Sequence, residues 1–266
     1  MYKIIDSHCH IYPDAIALKA AEGTGNFYGI KMAYDGKVST LIKEGKESGI
    51  GHYIVQSVAT TPKQVSSINH YIAKTVEESD GLMTGLGTLH PESDDIKADF
   101  EELISLGLKG VKIHPDIQGF KLDDYRCLSI YELCEGKVPI LIHTGDYRYD
   151  YSNPNRLKPL LDIFKGLTFI GAHFGGWSIW EQASKELVNY DNLYVDCSST
   201  FYAIPKEKTK QLIDAYGTDR VLFGTDYPMW NPKTEIDYFY SLGLSKEDNK
   251  KILHDNAVRV FNLQNV

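Results

Sequence analysis

Ile4-Ile5-Asp6-Ser7-His8-Cys9-His10 begins with two apolar residues and ends with two histidines one residue apart. Side chains alternate faces along a β-strand, so His8 and His10 point one way and Cys9 the other. Two imidazoles on one face at the end of a buried strand can hold one transition-metal ion. An H-x-H pair alone is a weak signal. Its meaning depends on whether other strand ends along the chain repeat the pattern.

They do. Apolar runs recur at residues 52–58, 82–89, 109–114, 138–143, 167–173, 192–197 and 220–226. Helix-length segments lie between most of them, at 39–49, 61–79, 94–106, 122–135, 155–165, 177–190 and 204–216, and two more, 233–242 and 246–263, follow the last run. Pro62 marks one helix start, and Gly49, Gly107, Gly136 and Gly166 mark stops. Residues 11–37 read as an extended loop with at most a short helix, large enough to lie over a pocket. Strands that are apolar almost throughout are buried on both faces, as in parallel sheets. Strand–helix alternation gives an α/β fold. Eight such units in 266 residues predict a (β/α)8 TIM barrel, distorted by the long loop after its first strand, as a single domain over residues 1–266. A doubly wound open sheet is disfavoured because no GxGxxG follows the first strand.

The net charge of −8 argues against nucleic acid or an anionic membrane as partner, since both select clustered Lys and Arg. No run of 18 apolar residues is present, so no membrane-spanning helix is expected. The first strand follows Met1 so closely that a signal peptide has no room. Four cysteines without CxxC spacing read as free thiols in a cytoplasmic protein.

His8, His10, His114, His143, His173 and Asp226 all sit at the carboxyl ends of these runs, and they include five of the nine histidines. In a barrel those ends converge on one mouth, where active sites lie. Any one of them alone reads as a satisfied buried histidine or a turn aspartate. Together they are hard to explain by packing, because barrel interiors favour branched apolar side chains, and they point to a metal site. His52, His70 and His254 read as ordinary structural residues, and His90-Pro91 as a turn.

Asp6-Ser-His-Cys-His10, Gly110-Val-Lys-Ile-His-Pro115, Ile140-Leu-Ile-His143, Gly171-Ala-His-Phe-Gly-Gly176 and Leu222-Phe-Gly-Thr-Asp-Tyr-Pro228 resemble the motifs of the amidohydrolase superfamily. The resemblance is to its amidohydrolase-2 branch of metal-dependent hydrolases and decarboxylases, and it extends to the closing stretch 252–261. It implies one divalent metal held by His8, His10, His143 and Asp226, with His173 as the acid/base residue and Asp226 also relaying protons. Zinc suits such ligands first, and manganese or iron also fit. Lys112 shares a face with His114 and could bridge a second metal, although in the resembling branch its motif accompanies a single ion. His114 is expected to contact substrate. Arg148, between tyrosines, is placed either to clamp a substrate carboxylate bidentately or to lie exposed on a loop. The resulting expectation is a hydrolase that turns metal-activated water on a small ester, lactone or amide. The alternative is a non-oxidative decarboxylase of an aromatic or unsaturated carboxylic acid, and a third reading is a ligand-binding barrel without catalysis. A small-molecule partner carrying a carboxylate and a homodimer as the default assembly complete the expectations.

Overall fold

The structure is a computed structural model that describes residues 2–264 and 266; Met1, from which the leader argument counts, and Asn265 lie outside the described residues. Its strands are β1 (Ile4–His10), β2 (Ile50–Gln56), β3 (Met83–Gly85), β4 (Gly87–Thr88), β5 (Val111–Ile113), β6 (Ile140–Ile142), β7 (Phe169–Gly171), β8 (Leu193–Asp196) and β9 (Val221–Leu222). Every paired neighbour is parallel, in the order β1-β2-β3 and then β4 through β9. The expected run 82–89 is therefore divided between β3 and β4. Leu86 N donates to Val55 O (2.9 Å) and Gly87 N to Gly110 O (2.9 Å), joining the two sheets at that break. On the other side Ser7 N donates to Phe223 O (2.9 Å) and His10 N to Tyr227 O (2.7 Å), which brings β1 against the chain after β9. The result is the parallel α/β barrel that the strand–helix rhythm predicts.

Two apolar layers hold it. Ile5, Ile54, Leu86, Leu141, Ile170 and Leu222 meet in one cluster with Ala257 of the last helix, Asn256–Val260, and Phe261 just after it. A larger cluster packs the opposite strand faces, including Cys9, Val55, Val111 and Ile140, against the surrounding helices. Ile5 and Cys9 belong to different layers although four residues apart, which simple alternation forbids. A register irregularity in β1 between Asp6 and Cys9 changes the phase, as a bulge does near active sites. His8 and His10 face the cavity at the barrel mouth while Cys9 is in the outer layer, as expected.

Caps place the helices. Thr61 and Gln64 form a reciprocal capping box, and Asp95, Asn153 and Asn231 each accept a backbone N–H of the helix they start. Two expectations are corrected. The segment read as loop contains a 12-residue helix, Ala17–Tyr28, whose N-cap Ile16 makes no side-chain bond. It carries no capping signal and forms because Ala17, Ala21 and Gly25, spaced i, i+4, i+8, bury one stripe against the body. The helix expected over 122–135 is only Leu128–Cys134, entered by a 3₁₀ turn at Tyr125–Cys127 that Asp124 caps. A short helix at Pro115–Gln118, capped by His114, was not expected. No helix among the described residues is long and apolar enough to cross a membrane.

Candidate metal centre and active site

One cavity of about 570 Å³ opens at the carboxyl ends of the strands. His8, His10, His114, His143, His173 and Asp226 all line it, brought together from β1 and the ends of β5, β6, β7 and β9. Backbone strain accompanies the site: His173 (φ 59°) and Asp226 (φ 58°) occupy the left-handed region, which costs non-glycine residues of order 1–3 kcal/mol and clusters at functional positions. Gly224 makes a different accommodation, since a Cβ there would sit 2.9 Å from the His8 Cβ.

The hydrogen bonds of the histidines decide which nitrogens face inward. His8 Nδ1 donates to Asp196 Oδ2 (2.9 Å), so its Nε2 is a bare lone pair. His173 Nδ1 donates to Ser198 O (3.0 Å), leaving its Nε2 bare. His143 Nε2 donates to Gly145 O (3.0 Å), leaving Nδ1 bare. The bare nitrogens of His143 and His173 then meet without a hydrogen between them, and that of His8 faces His10. His143 Nδ1 is 3.1 Å from His173 Nε2, and His8 Nε2 is 3.2 Å from His10 Nε2. Asp226 Oδ1 lies 3.4 Å from His8 Nε2 and 3.6 Å from His10 Nε2. Its other oxygen accepts from Ser199 Oγ, which in turn accepts from Trp230 Nε1 at 2.7 Å. Converging lone pairs repel one another unless they share a cation, and this donor set fits a divalent ion. Among the described residues the donor atoms of His8, His10 and Asp226 all lie within 4.8 Å of one another.

Charge supports the same reading. Burial holds the imidazoles of His8, His10, His114 and His143 well below their ordinary range, reinforced by neighbouring imidazoles and by the Lys112 ammonium. Neutral imidazole is the ligating form. Burial also lowers His173 to about 4, with Asp196 opposing. Lys112 is buried with its Nζ 3.4 Å from His8 Nε2, and burial lowers it to about 8 against the pull of Asp196 and Asp226.

Other placements differ from the sequence expectations. His143 lies in a close donor group with His114 and Asp116, its Nε2 bonded to the Gly145 carbonyl and its Nδ1 directed at His173. His114 stacks on His143 (centroids 3.9 Å apart, planes 6° apart). The nitrogens of His114 are engaged: Nδ1 accepts from Ile117 N (3.3 Å) and Nε2 lies 2.6 Å from the Tyr28 hydroxyl. Arg148 does not line the cavity. Its guanidinium is bidentate to Asp146 (3.0 and 2.7 Å) and donates to Phe27 O (2.6 Å), and it packs over the rings of Phe27 and Tyr28. It therefore ties down the helix that forms one cavity wall rather than clamping a ligand.

Sequence reasoning missed four site residues. Asp196 ends β8 and obeys the strand-end rule that singled out the others; applied there, the rule finds it. It orients His8 and also accepts from His173 N (3.1 Å) and Ser198 N (3.0 Å). Asp6 accepts from Thr225 N (2.9 Å) and Oγ1 (2.6 Å), tying β1 to the Asp226 turn, and burial raises it to about 6. Tyr28 lies in the segment read as loop. Asp116, raised by burial to about 7, follows Pro115 and is not singled out by the strand-end rule.

The sequence profile of the family described as Amidohydrolase matches residues 5–263. A gamma-resorcylate decarboxylase of a Polaromonas species is 32% identical over 126 residues, which are 39% of this chain and 37% of that enzyme. The chain thus spans little more than a third of that relative's length. Among solved structures, an uncharacterised TIM-barrel protein of Bordetella bronchiseptica superposes with TM-score 0.82 at 22% identity, covering 98% of this chain and 99% of the other. A dihydroxybenzoic acid decarboxylase of a Polaromonas species, with bound manganese and the inhibitor 2-nitroresorcinol, gives TM-score 0.74 at 18% identity over 99% and 98% of the two chains.

Proposed function

The chain belongs to the amidohydrolase family, and from that premise we propose that it is a metal-dependent, non-oxidative decarboxylase of an aromatic carboxylic acid. The observation that carries this reading is a bare His173 Nε2 facing a set of inward lone pairs at the floor of a largely apolar cavity. The named activity of the curated relative and of the manganese-bound neighbour supports decarboxylation over the hydrolysis of an ester, lactone or amide.

His8, His10 and Asp226 would hold the ion, with His143 supplying a fourth donor through Nδ1. When bound, the ion supplies a fixed positive charge that anchors the substrate carboxylate. Manganese and zinc both suit the donor set. Lys112, the only lysine or arginine among the described lining residues, adds a second cation beside His8. Apolar walls disfavour a carboxylate more than the neutral CO₂ it becomes. His173 is a free base at neutral pH in this cavity, and an arriving carboxylate raises its proton affinity. It takes a proton from solvent on Nε2 and passes it to the ring carbon that bears the carboxylate. The bond from that carbon to the carboxylate breaks, its electron pair restores the aromatic ring, and CO₂ departs. No oxidant or reductant is consumed. Asp196 keeps His8 in the ligating tautomer, and Ser198 O accepts the His173 Nδ1 proton, which leaves Nε2 to take up and deliver the transferred one.

The test is a panel of hydroxybenzoates and of matched phenyl esters and lactones, given to protein loaded with manganese or zinc. CO₂ release from an acid supports the proposal. Acid production from an ester or lactone without CO₂ from any acid overturns it in favour of hydrolysis.

A further inference from the structure

The cavity is larger than a one-ring acid requires. About 150 Å³ suffices for benzene, while this cavity holds about 570 Å³, within the range that accepts drug-sized ligands. Its charged groups are gathered at the floor, and the other polar residues that line it, among them Thr24, Gln64 and Ser67, are uncharged. The outer part lies between two helices. Ile16, Ala20, Gly23 and Phe27 line it from the first, spaced i, i+4, i+7, i+11 along one face. Ile68 and Tyr71 line it from the helix Val65–Glu78 opposite. The stripe that anchors the first helix, Ala17, Ala21 and Gly25, is a different one, so small residues at 20 and 23 are not needed for its packing. A Cβ at Gly23 would meet nothing within 4 Å. No arginine lines this arm, and the cavity's one lysine is at the floor beside His8.

We infer that the substrate is a monocarboxylate whose ring bears an apolar substituent para to the carboxylate, lodged between the helices Ala17–Tyr28 and Val65–Glu78. The inference rests on the proposed function for the carboxylate's position at the floor and adds the shape and polarity of the remainder. A para substituent points away from the carboxylate and so toward the mouth. A second carboxylate in that arm would be desolvated with no cation to meet it.

The experiment measures binding by calorimetry to manganese-loaded protein, using 2-hydroxybenzoate carrying hydrogen, ethyl, butyl or hexyl at ring position 4. About 0.8 kcal/mol per buried CH₂ corresponds to roughly fourfold tighter binding per methylene, so the butyl compound is expected to bind at least tenfold more tightly than the parent. Ala20→Phe, and independently Gly23→Leu should the first variant fail to fold, bring the butyl-to-parent ratio close to one. Leu18→Ser, on the exposed side of the same helix, keeps the ratio. A flat series in the parent protein, or a ratio untouched by folded Ala20 and Gly23 variants, overturns the inference. Binding is read without turnover, so a rising series with no CO₂ release sinks the decarboxylase assignment and leaves the arm standing. CO₂ release with a flat series does the reverse.

Discussion

Asp196→Asn tests the reasoning about tautomers most directly. In the parent, Oδ1 accepts from His173 N and Ser198 N, and Oδ2 accepts the His8 Nδ1 proton at 2.9 Å. Asparagine keeps an oxygen for the first two bonds and presents an NH₂ group to His8. Two donors then face each other, so His8 moves its proton to Nε2, the nitrogen that faces His10 and Asp226. The volume is unchanged and the backbone bonds persist, so the loss falls on ion binding rather than on folding. Replacing such a partner of a ligating histidine costs 10–100-fold in metal affinity, about 1.4–2.7 kcal/mol. Competition against a chelator of known affinity measures the manganese dissociation constant, and circular dichroism with a thermal melt checks the fold. If the folded variant binds manganese within a factor of two of the parent, Asp196 does not set the His8 tautomer and the assignment of inward lone pairs fails.

His8→Ala and Asp226→Ala are expected to abolish stoichiometric metal on elemental analysis, whereas His173→Asn retains the metal and loses 10²–10⁴-fold in turnover; full activity in the His173 variant would remove it from the proton transfer. Glu235 is buried, one of its oxygens has no partner, and burial raises it from 4.5 to about 8, with Asp6 and Asp226 adding to the shift. Its folded value lies above the unfolded one, so its contribution to stability is complete below pH 4.5 and is lost as pH rises through about 8. Melts of the metal-free protein should therefore fall between pH 6 and 9 by less in Glu235→Gln than in the parent; parallel curves would refute this. Gly145→Ala should unfold the mouth, because Gly145 has φ 78° and a Cβ would meet the Gly176 Cα at 2.6 Å. A loss of several degrees in Tm is expected, and an unchanged melt would contradict that close approach.

The barrel was legible because strands buried on both faces need no polar positions, so they appear in the sequence as apolar runs with sharp ends. The residues at those ends were legible for the same reason: a histidine closing such a run must emerge at the mouth. Asp196 was equally visible by this rule. The helix Ala17–Tyr28 was not, since it lacks a side-chain cap and contains two glycines, and tertiary contacts hold it: the body beneath Ala17, Ala21 and Gly25, and Arg148 at Phe27 O. Arg148 could not be placed from its neighbours in the chain, because the choice between a ligand and Asp146 depends on how the loop folds back onto Phe27.

Sequence alone therefore determined the alternation of strands and helices and the histidines that close the strands at the mouth, because both follow from periodicity within a few residues. Tertiary structure decided which nitrogen of each imidazole is bare, which cations are already paired, and how far the cavity extends beyond its floor. Those properties depend on partners remote in the chain: His8 takes its tautomer from a carboxylate 188 residues away. No local pattern encodes a hydrogen bond across the barrel until the strands have closed around it.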